Sequence, residues 1–185
     1  MSVSPPTTPT AATWTIDPAH SLVELAVKHM MFSTVKGRFP KMAGSIVFDD
    51  ANPSASSVTA EIDAASIDTG DAARDGHLRS ADFLDVETFP TITFQSTDVV
   101  ARGSNLVVIG DLTIRGVTQP VSLEVELSGQ GTDPWGGQRV GFSASTTINR
   151  KEFGLTWNQA LEAGGVLVSD QVKISLEIQA MLQQD

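Results

Sequence analysis

The chain has no cysteine among its 185 residues. That removes disulfides, thiolate metal sites and thiol nucleophiles together, and leaves the redox compartment open. It is also short of positive charge: 12 Lys and Arg stand against 22 Asp and Glu, a formal net charge of −10. Such a balance argues against nucleic acid or an anionic membrane as a general partner and favours solubility. No apolar run approaches the ~18 residues that span a bilayer, so no stable membrane insertion is expected. Catalytic signatures are missing as well. Neither G-x-S-x-G nor the glycine-rich phosphate and dinucleotide loops occur, so a nucleophile elbow and nucleotide binding lack support. The three histidines, His20, His29 and His77, never stand three or four residues apart, and spacing gives no convergent metal site. Asp17 and His20 make a carboxylate–imidazole pair of the kind that caps a turn. No enzyme activity, metal or cofactor is expected.

What is present is strand. With 41% hydrophobic and 18% charged residues the chain suits one globular domain with its own core. The clearest period-2 segments are "VSLEVEL", with Val121, Leu123, Val125 and Leu127 on one face, and "VKISLEI", with Val172, Ile174, Leu176 and Ile178 on one face. About eight such segments, separated by Gly, Pro and Asp turns, read as an antiparallel sandwich or barrel. Between "AEIDAASI" and "TITF" the alternation stops, and helix formers between polar caps predict one short helix near Asp71 to Ser80. Residues 1–13, "MSVSPPTTPTAAT", are proline- and threonine-rich and read as a disordered tail ahead of a domain over 14–182. That tail has no basic residue and no apolar core of a secretory signal, so the cytoplasm is the expected compartment.

One stretch resists the simple pattern. In "HSLVELAVKHMMF" the inward series Val23, Leu25 and Val27 runs into His29 and then into Met30, Met31 and Phe32. Either the strand leaves the core there, or the interior it faces is not closed. Thioethers and phenyl rings make an adaptable apolar wall, and they equally pack a barrel end. Lys36, Arg38 and Lys41 follow, a local cationic group able to face an anionic head or simply solvent. The segment "TINRKEFGLTWNQALEAGGV" is similarly mixed, with Arg150 and Lys151 beside Phe153, Leu155 and Trp157. A barrel of ~8 strands is just wide enough to be filled by its own side chains or to hold one small ligand, and periodicity leaves both open.

Four segments taken together carry a resemblance: "WTIDPAHSLVELAVKHMMFSTVKGRF", "ARDGHLRSADFLDVETFPTITF", "GDLTIRGVTQPVSLEVEL" and "FSASTTINRKEFGLTWN". In that order and spacing they resemble the YceI-like family, from about Trp14 to Ala180. The resemblance implies an all-β fold, an extended lipocalin-like antiparallel eight-stranded barrel with one short helix. It also implies that the interior binds and sequesters or carries a long-chain polyisoprenoid, a polyprenyl phosphate or isoprenoid quinone, or a similar amphiphilic lipid. On this reading Leu25, Val27, Ile46, Phe48, Ile62, Phe94, Leu112, Phe142, Ile174 and Leu176 line the tube. His29, Phe32, Arg38, Phe39, Phe83, Arg150, Lys151, Phe153 and Trp157 form the mouth and meet the head group. Rival expectations are a filled barrel used as a protein-interaction module and, further off, a hydrolase. Edge strands of an open barrel permit a homodimer.

Overall fold

A computed structural model describes residues 11–161 and 165–184. Ten strands run in chain order: β1 (Ala12–Ile16), β2 (Leu22–His29), β3 (Ser33–Phe39), β4 (Met42–Phe48), β5 (Ser57–Asp63), β6 (Thr91–Arg102), β7 (Asn105–Ile114), β8 (Val117–Thr132), β9 (Gln138–Asn149) and β10 (Val168–Leu182). One α-helix, α1 (Ala72–Arg79), lies between β5 and β6. The predicted helix is there, within one residue at each end.

All pairings are antiparallel, in the order β1-β4-β5-β6-β7-β8-β9-β10, and β10 returns to β1 to close an eight-stranded barrel. The remaining two strands, β2 and β3, form a hairpin attached to β10 between Val168 and Glu177. Both departures from a simple barrel are written by proline, which cannot donate to a ladder. Pro18 ends β1, and the Asp17 carboxylate takes the Ala19 N–H at 3.0 Å to hold the turn into β2. Pro40 separates β3 from β4 in the same manner. The second edge of β3 meets a single bridge, Arg38 to Asp68, instead of a strand. β1 starts at Ala12, so the first strand takes in two residues expected to belong to the tail.

Interior faces follow the alternation. Directly opposed residues on neighbouring antiparallel strands share a face, so Phe142 faces inward with Ile178, Ala144 with Leu176 and Ile148 with Val172. A bulge between Ser96 and Asp98 shifts the parity of β6, which is why Ile92 and Phe94 but also Val99 point inward. Gly110 is needed as glycine. A Cβ there would sit 2.5 Å from Cζ of Phe94 and 2.6 Å from the Gln95 carbonyl, because the Phe94 ring folds across it.

The end of the barrel at the β8–β9 turn is closed. Phe48 and Phe142 meet edge to face at 5.2 Å, and Val140 and Ala180 are buried beside them. A charged clasp locks the outside of this end. Arg139 donates to Asp17 (2.8 Å), Asp133 (3.0 Å) and the Gln179 side-chain oxygen (3.1 Å), joining β9, the turn after β1, the β8–β9 turn and β10. The Arg139 guanidinium, followed by the His20 imidazole, holds the Asp17 carboxyl below the usual carboxylate range. The Gly137 N–H, followed by Arg139, does the same for Asp133. A folded-state value below the unfolded one stabilises the protein fully above the unfolded value, ~3.9, and this stabilisation is lost as pH falls through the folded value. Arg139→Gln is therefore expected to lower Tm at pH 7. Its deficit relative to wild type should shrink below about pH 4; melts between pH 7 and pH 2.5 read both.

Candidate functional site

The inward faces leave an elongated cavity of about 500 Å³. All ten residues expected along the tube line it: Leu25 and Val27 on β2, Ile46 and Phe48 on β4, Ile62 on β5, Phe94 on β6, Leu112 on β7, Phe142 on β9, Ile174 and Leu176 on β10. Val58, Val108, Val121, Leu123 and Val125 complete the walls. The cavity floor is the Phe48–Phe142 pair, and its mouth lies at the opposite end, under α1 and beside the β2–β3 hairpin.

α1 presents Ala73, Arg74, His77 and Leu78 to this space, positions that share a helical face. Its placement comes from polar ties to the segment before it. Asp71 caps the helix by accepting the Arg74 N–H at 3.0 Å. The buried Asp75 carboxylate accepts both the backbone N–H (2.9 Å) and the hydroxyl (2.6 Å) of Thr69. Arg79 donates to the carbonyls of Ala65 and Ile67. At the C-terminal end of the helix three rings cluster. His77 stands edge-on to Phe83 at 5.0 Å and to Trp157 at 4.7 Å, and Phe83 lies 5.3 Å from Trp157. His77 Nε2 is 2.9 Å from the Asp82 carboxylate, which orients the ring.

The other side of the mouth is built on Arg150, which is 3% exposed. Its guanidinium donates to the carbonyls of Leu155 (2.7 Å), Trp157 (2.8 Å), Ser169 (2.9 Å) and Val168 (3.4 Å). Burial pulls its pKa below the usual arginine value, offset in part by Asp170. Asn158 adds a two-way tie to Val168, donating to its carbonyl and accepting its N–H. The rim is thus fixed by backbone carbonyls gathered around one cation.

His29, Phe39, Phe83, Arg150 and Trp157 line the cavity as expected of mouth residues, but Arg150 spends its donors on the rim. The remaining four lie elsewhere. Arg38 points outward, because its neighbour Phe39 points in, and it pairs with Asp68 at 3.4 Å. Lys151 is also outside and pairs with Asp170 at 3.4 Å. Phe153, 1% exposed, is locked in the core beneath the 3₁₀ turn Arg150–Phe153 and does not reach the cavity. Phe32 sits at the hairpin tip, 75% exposed. Three polar contributors on or beside α1, namely Thr69, Arg74 and His77, were not foreseen as site residues. Arg74 and His77, three residues apart on α1, share a helical face, but the sequence does not show that this face covers a barrel mouth. The His29 ring has no hydrogen-bond or ion partner among the described residues and borders the cavity where it opens. The arrangement therefore offers a largely apolar bore with most of its hydrogen-bonding side chains gathered at the mouth, Thr146 on the wall and Ser56 near the floor being exceptions. It can hold an apolar chain along the bore and a polar terminus at the mouth.

Comparison with known proteins agrees with this geometry. The profile of the YceI-like domain matches residues 14–180. A UPF0312 protein of Pseudomonas aeruginosa is 43% identical over 164 residues, spanning 89% of this chain and 83% of the relative. One from Yersinia pestis is 48% identical over 137 residues, 74% of this chain and 71% of the relative. Among solved structures, BcnA of Burkholderia cenocepacia superposes with a TM-score of 0.78 at 27% identity, covering 89% of this chain and 98% of that one. A domain of Saccharophagus degradans, described as a polyisoprenoid binding domain implicated in plant cell wall breakdown, gives 0.66 at 16% identity. It covers 93% of this chain and 99% of its own, and it shows the shared fold. With the match running through all ten strands and the mouth, the chain belongs to the YceI-like family.

Proposed function

We propose that this protein binds one long-chain isoprenoid, a polyprenyl phosphate or an isoprenoid quinone, with its tail in the bore and its polar end at the mouth, and that it sequesters or carries it. The carrying observation is the bore itself: a predominantly apolar cavity of about 500 Å³ that gathers Thr69, Arg74, His77, His29 and Arg150 at its mouth, with few polar residues such as Thr146 on its walls and Ser56 near its floor. Its volume falls within the roughly 300–1,000 Å³ of ordinary ligand sites, and its walls carry few of the dispersed hydrogen-bonding groups that a sugar or peptide would need. Apolar burial at roughly 25 cal/mol per Å² supplies affinity without many polar contacts. The shared fold with a domain described as polyisoprenoid binding supports the same reading by analogy.

A hydrolase has less to stand on. His20 and His77 pair with Asp17 and Asp82, and among the described residues no serine hydroxyl bonds to a histidine ring; the Ser80 hydroxyl donates to the His77 backbone carbonyl instead. A solid barrel used only for protein contacts is disfavoured by the open bore.

Native mass spectrometry of the protein purified from its own host, followed by solvent extraction, tests the reading. One long-chain isoprenoid per chain is the expected result. A protein that stays empty after incubation with polyprenyl phosphates and isoprenoid quinones would remove it.

A further inference from the structure

The tip of the β2–β3 hairpin has no role inside the bore. It turns through Met30 and Met31 at φ 52° and 71°, and the Phe32 N–H donates to the His29 carbonyl at 3.3 Å. Two consecutive positive φ values define the tight turn that Asn-Gly serves without strain. Methionine at both positions accepts that strain and aims two thioethers outward. Met31 and Phe32 are 61% and 75% exposed, and Val166, on the facing loop, is exposed as well. The two segments form one surface: the Met30 N–H donates to the Leu167 carbonyl at 2.8 Å, and Met31 packs on Gly165. Directly behind them, His29 and Leu167 line the cavity. The apolar tip is therefore continuous with the mouth.

Its charge differs from the rest of the molecule. Between Glu24 and Asp49 there is no carboxylate, while Lys28, Lys36, Arg38 and Lys41 all fall there, in a chain of net −10. Lys36 lies 3.9 Å from Glu24, and Arg38 pairs with Asp68. The ammonium of Lys28, one residue before the last pair of the hairpin, donates to the Thr34 hydroxyl and has no carboxylate partner among the described residues. Across the rim, Lys151 is held by Asp170. The other strongly exposed aromatic among the described residues, Trp135, is on the β8–β9 turn at the closed end, beside Asp133, and does not line the bore.

We infer that the hairpin tip is the surface by which the protein docks on an anionic bilayer, with Met31 and Phe32 entering the interface and Lys28 meeting lipid head groups. The overall acidity excludes general adhesion to such a surface and leaves this end to approach it. The inference rests on the carrier reading for its purpose, since a long isoprenoid resides in a bilayer before it is taken up. A short apolar tip with a cation, Lys28, that meets no carboxylate among the described residues gives reversible attachment, as a shuttle between membranes requires.

Flotation of the full chain with vesicles of 70% phosphatidylcholine and 30% phosphatidylglycerol tests it. Wild type should float, less so at 0.5 M salt and less on pure phosphatidylcholine. Met31→Ser with Phe32→Ser should lower the partition coefficient about tenfold or more, and Lys28→Glu a few-fold. Trp135→Ser should float as wild type does. A wild type that stays in solution, or a double variant that floats unchanged, overturns the inference. So does a double variant whose main effect is a smaller mass by light scattering, which would assign the tip to contacts between copies. Uptake of a fluorescent isoprenoid in detergent, without vesicles, is measured in parallel. Uptake without flotation sinks the docking surface and leaves the carrier; flotation without uptake sinks the carrier and leaves the tip.

Discussion

Ala144→Trp is expected to weaken isoprenoid binding by about 200-fold while the barrel stays folded. Ala144 lines the cavity on β9, the next inward residue above the Phe142 floor, opposite Val125 on β8 and Leu176 on β10. An indole there occupies space that cargo would otherwise fill. Excluding about four methylene equivalents at ~0.8 kcal/mol each costs about 3 kcal/mol of binding, hence the factor. In a barrel packed solid, the same substitution would overpack the core and lower stability by about 1–3 kcal/mol. Fluorescence titration with an isoprenoid quinone and a thermal melt of the same sample separate the two cases. Unchanged affinity, or a collapsed Tm, would end the open-bore reading. Phe142 is a poorer place for this test, because its ring already meets Phe48 edge to face at 5.2 Å.

Arg150→Met should be the most destabilising single change at the mouth. Methionine matches the length of the aliphatic stem but provides no donor, so the carbonyls of Leu155, Trp157, Val168 and Ser169 lose their common partner. Buried groups stripped of a charged partner cost about 3–5 kcal/mol together. For a domain of this size that is a Tm fall of about 10 °C. The loss should also be local. Amides of 155–161 and 165–169 should exchange faster than those of the β6–β7 ladder, measured by hydrogen exchange, and bound isoprenoid should dissociate faster. Arg150→Lys, with a single cationic head and no planar fork, should recover only part of the stability. An Arg150→Met protein with wild-type Tm and exchange would show that the rim holds itself.

Much of the bore was legible in the sequence. Val23, Leu25 and Val27, or Ile174, Leu176 and Ile178, alternate with polar residues because one side of each strand faces water, and that parity survives folding. The mouth was less legible, for three separate physical reasons. Composition marks Arg38 and Lys151 as cations near apolar residues, yet strand parity puts Arg38 outside once Phe39 is inside, and Lys151 follows Asp170. Arg150 and Phe153 belong to a 3₁₀ turn that has no alternation to read, so neither the burial of Phe153 nor the use of Arg150 as a carbonyl clamp could be foreseen. The cover supplied by α1 depends on bonds between it and the loop before it, such as Asp75 to Thr69 and Arg79 to Ala65. No periodicity records such contacts. The parity shift on β6 is a further case: an extra residue near Thr97 moves Val99 inward, and a strict two-residue repeat would have put it outside.

The floor made by Phe48 and Phe142 has a consequence for which molecules the bore accepts. A tube stopped at one end measures from that stop. A tail too short to reach it leaves wall atoms without neighbours, and each missing methylene forfeits ~0.8 kcal/mol. A tail longer than the bore loses nothing already gained, since its surplus stays in whatever solvent or bilayer it came from. Affinity should therefore climb with chain length and then level off. On the proposed reading, the bore would act as a one-sided filter that turns away short chains and is indifferent to how far the long ones overhang.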